Sequence, residues 1–280
     1  MVASVVLIAG FFVVELVVGI ISNSLALIAD AGHMATDVVA LLMGMTALLM
    51  ARHGSTTARR SFGWHRAEVF SAIVNAVLLI AVGAYVLYEA VERIGKDPHV
   101  PGLTLIVVAL IGLAVNVVAM LLLRADAKES IAVRGAYLEV LADAVGSVGV
   151  LVAGIFALIT GSGYADIVVA VLIALWVVPR AVRLAADALR ILNQQAPKHV
   201  DVEGVAAQLA QIPGVRDVHD LHIWTLTTGM DVATVHIASA AADGESVLAQ
   251  AQQILTAHGL EHATVQVEGD QGCGDSELSW

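Results

Sequence analysis

The sequence predicts an α-helical membrane protein with six transmembrane helices, followed by a C-terminal α+β domain on the cytoplasmic side. Three observations carry this reading. Of the 280 residues, 59% are hydrophobic and only 14% charged, and the mean hydropathy is +0.85. A soluble domain is typically about half apolar and about a quarter charged, so this excess exceeds what one aqueous fold can bury. Six segments reach the ~20 mainly apolar residues that a hydrocarbon core requires. The formal charge of −11 is also segregated: from residue 197 onward twelve acids face only Lys198 and Arg216, a net of −10. The predicted organisation is a membrane domain over 1–195, a separate solvated, acidic domain over 196–270, and a disordered tail over 271–280.

The six apolar segments run over 2–21, 25–50, 69–91, 103–123, 136–159 and 167–189. Gly161, Ser162 and Gly163 separate the fifth from the sixth. The N-terminal stretch is apolar from its start and lacks a basic leader, which predicts a retained first helix and no signal peptide. Basic residues fix the orientation. Arg52, Arg59, Arg60 and Arg66 lie in the second connection, and Arg124, Lys128 and Arg134 in the fourth. Arg180, Arg183, Arg190 and Lys198 close the sixth helix. The opposite connections hold only Arg93 and Lys96. Both termini are therefore expected in the cytoplasm.

In the acidic domain the hydrophobic period changes. Residues 202–212 and 246–257 have helical spacing, whereas 218–225, 231–238 and 263–268 alternate as strands do. Thr227, Thr228 and Gly229 supply a hairpin turn. The order αββαβ predicts two helices on one face of an antiparallel sheet. An acidic domain does not suit nucleic acid or anionic lipid, which call for a basic face. Cys273, the single cysteine, excludes an intramolecular disulfide; it is a spare thiol or a weak metal ligand.

Ionisable residues inside apolar helices are costly and mark function. His33 and Asp37 stand four apart in the second segment, Glu139 and Asp143 four apart in the fifth, so each pair shares one helix face. Four N/O ligands from two facing helices suit Zn²⁺, with Co²⁺, Cd²⁺ and Fe²⁺ as chemical relatives. The alternative is a pair of local hydrogen-bonded groups at a helix interface. Asp30, seven before Asp37, reads as an entry-path carboxylate or a helix-start acid. Asn75 and Asn116 read as interhelical hydrogen-bonding groups, and Glu15 and Glu68 receive no metal role. On the strands, His219 and His222 are three apart and predicted to face opposite sides, with His222 packed toward Trp224 or the core. An enzyme is not expected, for the sequence carries neither H-E-x-x-H nor G-x-S-x-G.

Four motifs, in order, resemble the cation diffusion facilitator family across essentially the whole chain. They are the run from Asn23 to His33 leading to Asp37, the run from Ser61 to Glu68, the run from Ala136 through Asp143 to Ser147, and the run from Asp220 to Thr227. The resemblance implies a homodimeric, six-helix efflux transporter with a ferredoxin-like, metallochaperone-like cytoplasmic domain. It implies Zn²⁺, or Cd²⁺ and Co²⁺, as substrate and regulatory ion with no other cofactor, and protons exchanged by alternating access. With the compact length it implies a bacterial inner membrane as the surrounding bilayer. Carried over by position, the transport site is His33, Asp37, Glu139 and Asp143. Glu139 departs from the common zinc pattern, which has histidine there, and so adds a hard anionic ligand. His65 matches a second, interface site, or is structural beside Trp64 and Arg66. His219, His236, His262 and Glu268 match a cytoplasmic metal site.

Overall fold

In the computed structural model of the chain, residues 2–52, 61–96, 98–124, 131–240 and 244–269 are described, with backbone alone for 2–8, 37, 40–52, 131–136 and 139. Six helices come first: α1 (Val2–Ser22), α2 (Leu25–Arg52), α3 (Arg66–Glu92), α4 (Gly102–Leu123), α5 (Ile131–Thr160) and α6 (Tyr164–Leu192). They are followed by α7 (Val202–Ala210), β1 (Val215–Thr227), β2 (Met230–Ser239), α8 (Gly244–Ala257) and β3 (His262–Glu268). Every apolar segment of the sequence is a helix, although α5 begins five residues before the predicted start. Among the described residues α3, α4, α5 over Val140–Thr160, and α6 are long and apolar enough to cross a membrane; α1 adds the apolar stretch Ala9–Ser22. Two compact units result, one drawn from residues 1–49 and 71–186, the other from 50–70 and 187–280. Residues 61–70, leading into α3, group with the C-terminal domain. The tail expected over 271–280 lies outside the described residues.

The helical unit is inverted relative to a soluble protein. Val77, Leu110, Val152, Leu172 and Trp176 are exposed on its outside, while Glu15, Asp30, His33, Asn75, Asn116, Asp143 and Asp166 are buried. Such a surface is stable only where the solvent is itself apolar. An interior cluster gathers Phe11 of α1, Leu27 and Met34 of α2, Val86 of α3, Leu105 of α4, Val150 of α5 and Ala170 of α6. Between α4 and α5 the backbones nearly touch. A methyl group at Gly102 would stand 2.6 Å from both the Gly154 carbonyl oxygen and the Leu158 nitrogen. Small residues permit this approach where lipid provides no hydrophobic drive between helices.

In the C-terminal domain the strands lie in the order β1-β2-β3. β1 and β2 form an antiparallel hairpin turning at Gly229, whose φ of 77° only glycine adopts freely. β3 runs parallel to β2, so the sheet is mixed and not antiparallel as expected. The cause is α8, which carries the chain back across the sheet and so delivers β3 in the same direction as β2. Asp201 caps α7 by accepting from the Gly204 N–H at 3.1 Å. Val205 and Leu209 of α7, and Val247, Ala251 and Leu255 of α8, pack on Ile223, Ala233, Val235 and Ile237. One face of the sheet is thereby covered. Alternation along β2 and β3 sends His236, Gln266 and Glu268 to the uncovered face.

Candidate metal centres

The membrane centre begins with helix spacing. His33 on α2 and Asp143 on α5 are both buried, and His33 Nε2 stands 3.6 Å from Asp143 Oδ1. Two donors from separate helices therefore meet inside the apolar unit. Asp37 lies one helical turn beyond His33, and Glu139 one turn before Asp143; their side chains are outside the described residues. His33 also borders a small cavity of about 10 Å³, lined by Leu79, Val82, Gly83 and Val86 of α3 and by Ile173, Ala174 and Val177 of α6. That is room for roughly one water-sized occupant.

A second layer of buried polar groups surrounds the pair. Asp30, one turn before His33, lies against α5, its Oδ1 3.0 Å from where a Cβ on Gly146 would stand. Only glycine admits the carboxylate so close. Glu15 of α1, almost wholly buried, is a close neighbour of Asp30. Asn116 of α4 donates from Nδ2 to Ser147 Oγ at 3.5 Å, one helical turn beyond Asp143, as expected of an interhelical group. Glu15, an acid in the middle of an apolar segment and given no metal role from the sequence, thus sits beside Asp30.

The cytoplasmic centre is built on the open sheet face. His219 and His236 are paired across β1 and β2, with ring centroids 5.6 Å apart at 74°. The carboxylate of Glu268 reaches both: Oε1 is 3.0 Å from His236 Nδ1, and Oε2 is 3.6 Å from His219 Nε2. Asp217 Oδ2 lies 3.1 Å from His219 Nδ1, orienting the ring. Asp220 Oδ2 stands 3.9 Å from His236 Nδ1. One ligand atom from each of His219, His236 and Glu268 falls within 4.8 Å of the others. Ligands bonded at about 2.1 Å in a tetrahedron stand about 3.4 Å apart, so small rotations would bring these three onto a common ion. Two imidazoles and a carboxylate suit zinc and its neighbours.

The other expected ligands lie elsewhere. His262 pairs with Val232, four residues along β3 from the Gln266 that pairs with His236, a distance of about 13 Å. Its ring instead meets Phe62 edge-on at 5.7 Å, and the structure does not bring it into the cluster. His65 is exposed in the turn before α3, and among the described residues no group of metal-ligating side chains includes it. His222 corrects an expectation. The ladder shifts register between His219 and His222, and Asp220 there is left-handed at φ 49°. This bulge adds a residue, so His222 faces Thr234 on the same side as His219 and His236. It is exposed, not packed in the core.

With two donor clusters in place, one inside the helical unit and one on the C-terminal sheet, comparison with known proteins decides the family. Residues 1–193 match the cation efflux transmembrane domain, and residues 197–270 the cation efflux protein cytoplasmic domain. The chain belongs to the cation diffusion facilitator family. This cation diffusion facilitator is 40% identical over 261 residues to the metal cation efflux system protein CzcD of Cupriavidus metallidurans, covering 92% of this chain and 82% of that protein. It is 31% identical to the cadmium, cobalt and zinc/H(+)-K(+) antiporter of Bacillus subtilis, covering 98% of this chain and 90% of that one. It is 38% identical to the zinc transporter ZitB of Escherichia coli, covering 93% and 84%. As a facilitator it is a multi-pass membrane protein and a cation-efflux transporter, not an enzyme.

Proposed function

We propose that this facilitator exports Zn²⁺, and with it Cd²⁺ and Co²⁺, from the cytoplasm in exchange for protons. It works as a homodimer in the inner membrane, with both termini on the cytoplasmic side and six helices alternating the access of one site. The observation that carries this reading is the buried pair His33 and Asp143, 3.6 Å apart between α2 and α5. Asp37 and Glu139 complete the ligand set one turn away on each helix. Metal ligands must be deprotonated to bind, so metal and protons compete for the same lone pairs. Exposure of the centre to a proton-rich outside then favours metal release there, and exposure to the cytoplasm favours metal loading. The names of the CzcD, ZitB and Bacillus relatives support the metal class, and the last supports exchange. His219, His236 and Glu268 hold a regulatory ion of the same class on the cytoplasmic domain.

The experiment is metal-driven proton flux in proteoliposomes loaded with a pH dye, scanning Zn²⁺, Cd²⁺ and Co²⁺ with and without a K⁺ gradient. Saturable alkalinisation of the lumen that tracks metal entry is expected, and Asp143→Ala is expected to abolish it. Normal flux from folded, inserted Asp143→Ala protein would overturn the assignment of the centre.

A further inference from the structure

Polar contacts tie together three connections at one end of the helical unit. The α1–α2 turn passes through Asn23, left-handed at φ 55°, and fully buried Ser24. Arg93, just past the end of α3, donates from Nη1 to the Asn23 carbonyl oxygen and from Nη2 to Asn23 Oδ1, each at 2.7 Å. Asp166, in the first turn of α6 and 0% exposed, accepts from Ser24 Oγ at 2.5 Å, from the Leu25 N–H at 2.8 Å and from the Ala26 N–H at 3.3 Å. The Gly163 N–H donates to the Pro98 carbonyl at 2.7 Å.

The first N–H groups of a helix have no partner within it, and its N-terminus attracts negative charge. Ser24 already supplies a local cap, accepting from the Leu27 N–H at 3.2 Å. Asp166 therefore adds something a local cap does not: a charged acceptor from a different helix, held by successive backbone donors. Two such bonds to adjacent residues fix both the height of α2 and its rotation about its own axis. His33 is eight residues from Leu25, about 12 Å along a rigid helix. A turn of one residue at the start would swing His33 by about 100° and remove it from Asp143.

We propose that Asp166 is a positioning residue for the membrane metal centre: capping α2 from α6, it sets the height and rotation at which His33 meets Asp143 of α5. This rests on the reading of that centre given above. The test is Zn²⁺ affinity by titration calorimetry on the full chain in detergent, in a His219→Ala/His236→Ala background so that the membrane centre alone is read. Asp143→Ala is expected to remove binding. Asp166→Ala is expected to weaken it at least tenfold, and Asp166→Asn, which keeps one acceptor, by a smaller factor, with monodisperse protein and unchanged helical circular dichroism. Should Asp166→Ala not fold, Asp166→Asn and Ser24→Ala carry the decision, each with an expected loss of threefold or more. Asp166 and Ser24 variants that melt earlier yet bind Zn²⁺ within twofold of the background protein would reduce Asp166 to a stabilising cap and overturn the proposal. Undiminished binding by Asp143→Ala would instead overturn the reading of the centre itself.

Discussion

At Asp220 the backbone enters the left-handed region, and that one conformation aligns His219 and His222 on a single face. A β-branched residue there meets its own carbonyl, a cost of about 1–2 kcal/mol, whereas glycine does not. Asp220→Val is therefore expected to speed amide exchange in β1 and β2 by roughly 5–30-fold, with Asp220→Gly near the parent; hydrogen-exchange mass spectrometry reads this. Glu268 bridges both histidines, so Glu268→Ala is expected to weaken Zn²⁺ binding at the cytoplasmic centre by about tenfold or more. His262→Ala, off the cluster, should leave it unchanged. Calorimetry in an Asp143→Ala background distinguishes them. Part of this scale was legible in the sequence: His33 and Asp143, singled out as ionisable residues in apolar helices, meet in the structure. His222 was not, because strand alternation counts residues and a bulge breaks the count. Nor was the separation of His262, since the register of β3 on β2 is set by packing and leaves no mark in β3's own pattern.

Among the elements, α4 and α5 meet backbone to backbone at the start of α4. A Cβ at Gly102 meets backbone atoms of α5 at 2.6 Å, and backbone cannot rotate aside. Gly102→Ala is expected to cost about 1–3 kcal/mol, read as a lower thermal midpoint in detergent, whereas Gly10→Ala, with nothing within 4 Å, is expected to be neutral. The helices were legible because apolar length alone announces them. The parallel β3 was missed even though the helix before it was found: α8 was read from its period, but its consequence for strand direction belongs to topology.

For the molecule as a whole, eleven basic residues on one side of the membrane against two on the other predict where its parts lie. Cys273 is the only cysteine and serves as a native reporter. A membrane-impermeant maleimide is expected to label it in inside-out vesicles and not in intact cells, and to label a Ser162→Cys/Cys273→Ser variant with the opposite preference. Labelling of Cys273 from outside would reverse the topology. The charge asymmetry alone carries this expectation. The allegiance of residues 61–70 to the C-terminal unit leaves no mark in the local sequence, since it rests on contacts such as the 2.9 Å hydrogen bond from Thr227 Oγ1 to Glu68 Oε2, which join residues 159 apart in the chain.

The glycine contact between α4 and α5 also bears on what a changed ligand would do. At the Gly102 end the two helices meet through backbone, whereas toward the start of α5 the side chains of Ala119, Leu123 and Val140 pack between them. Glu139→His should reorder the metals the protein accepts while shifting its melting temperature by no more than about 2 °C, a separation of taste from architecture that a metal-scanning flux assay and a thermal melt, run on the same preparation, would display together.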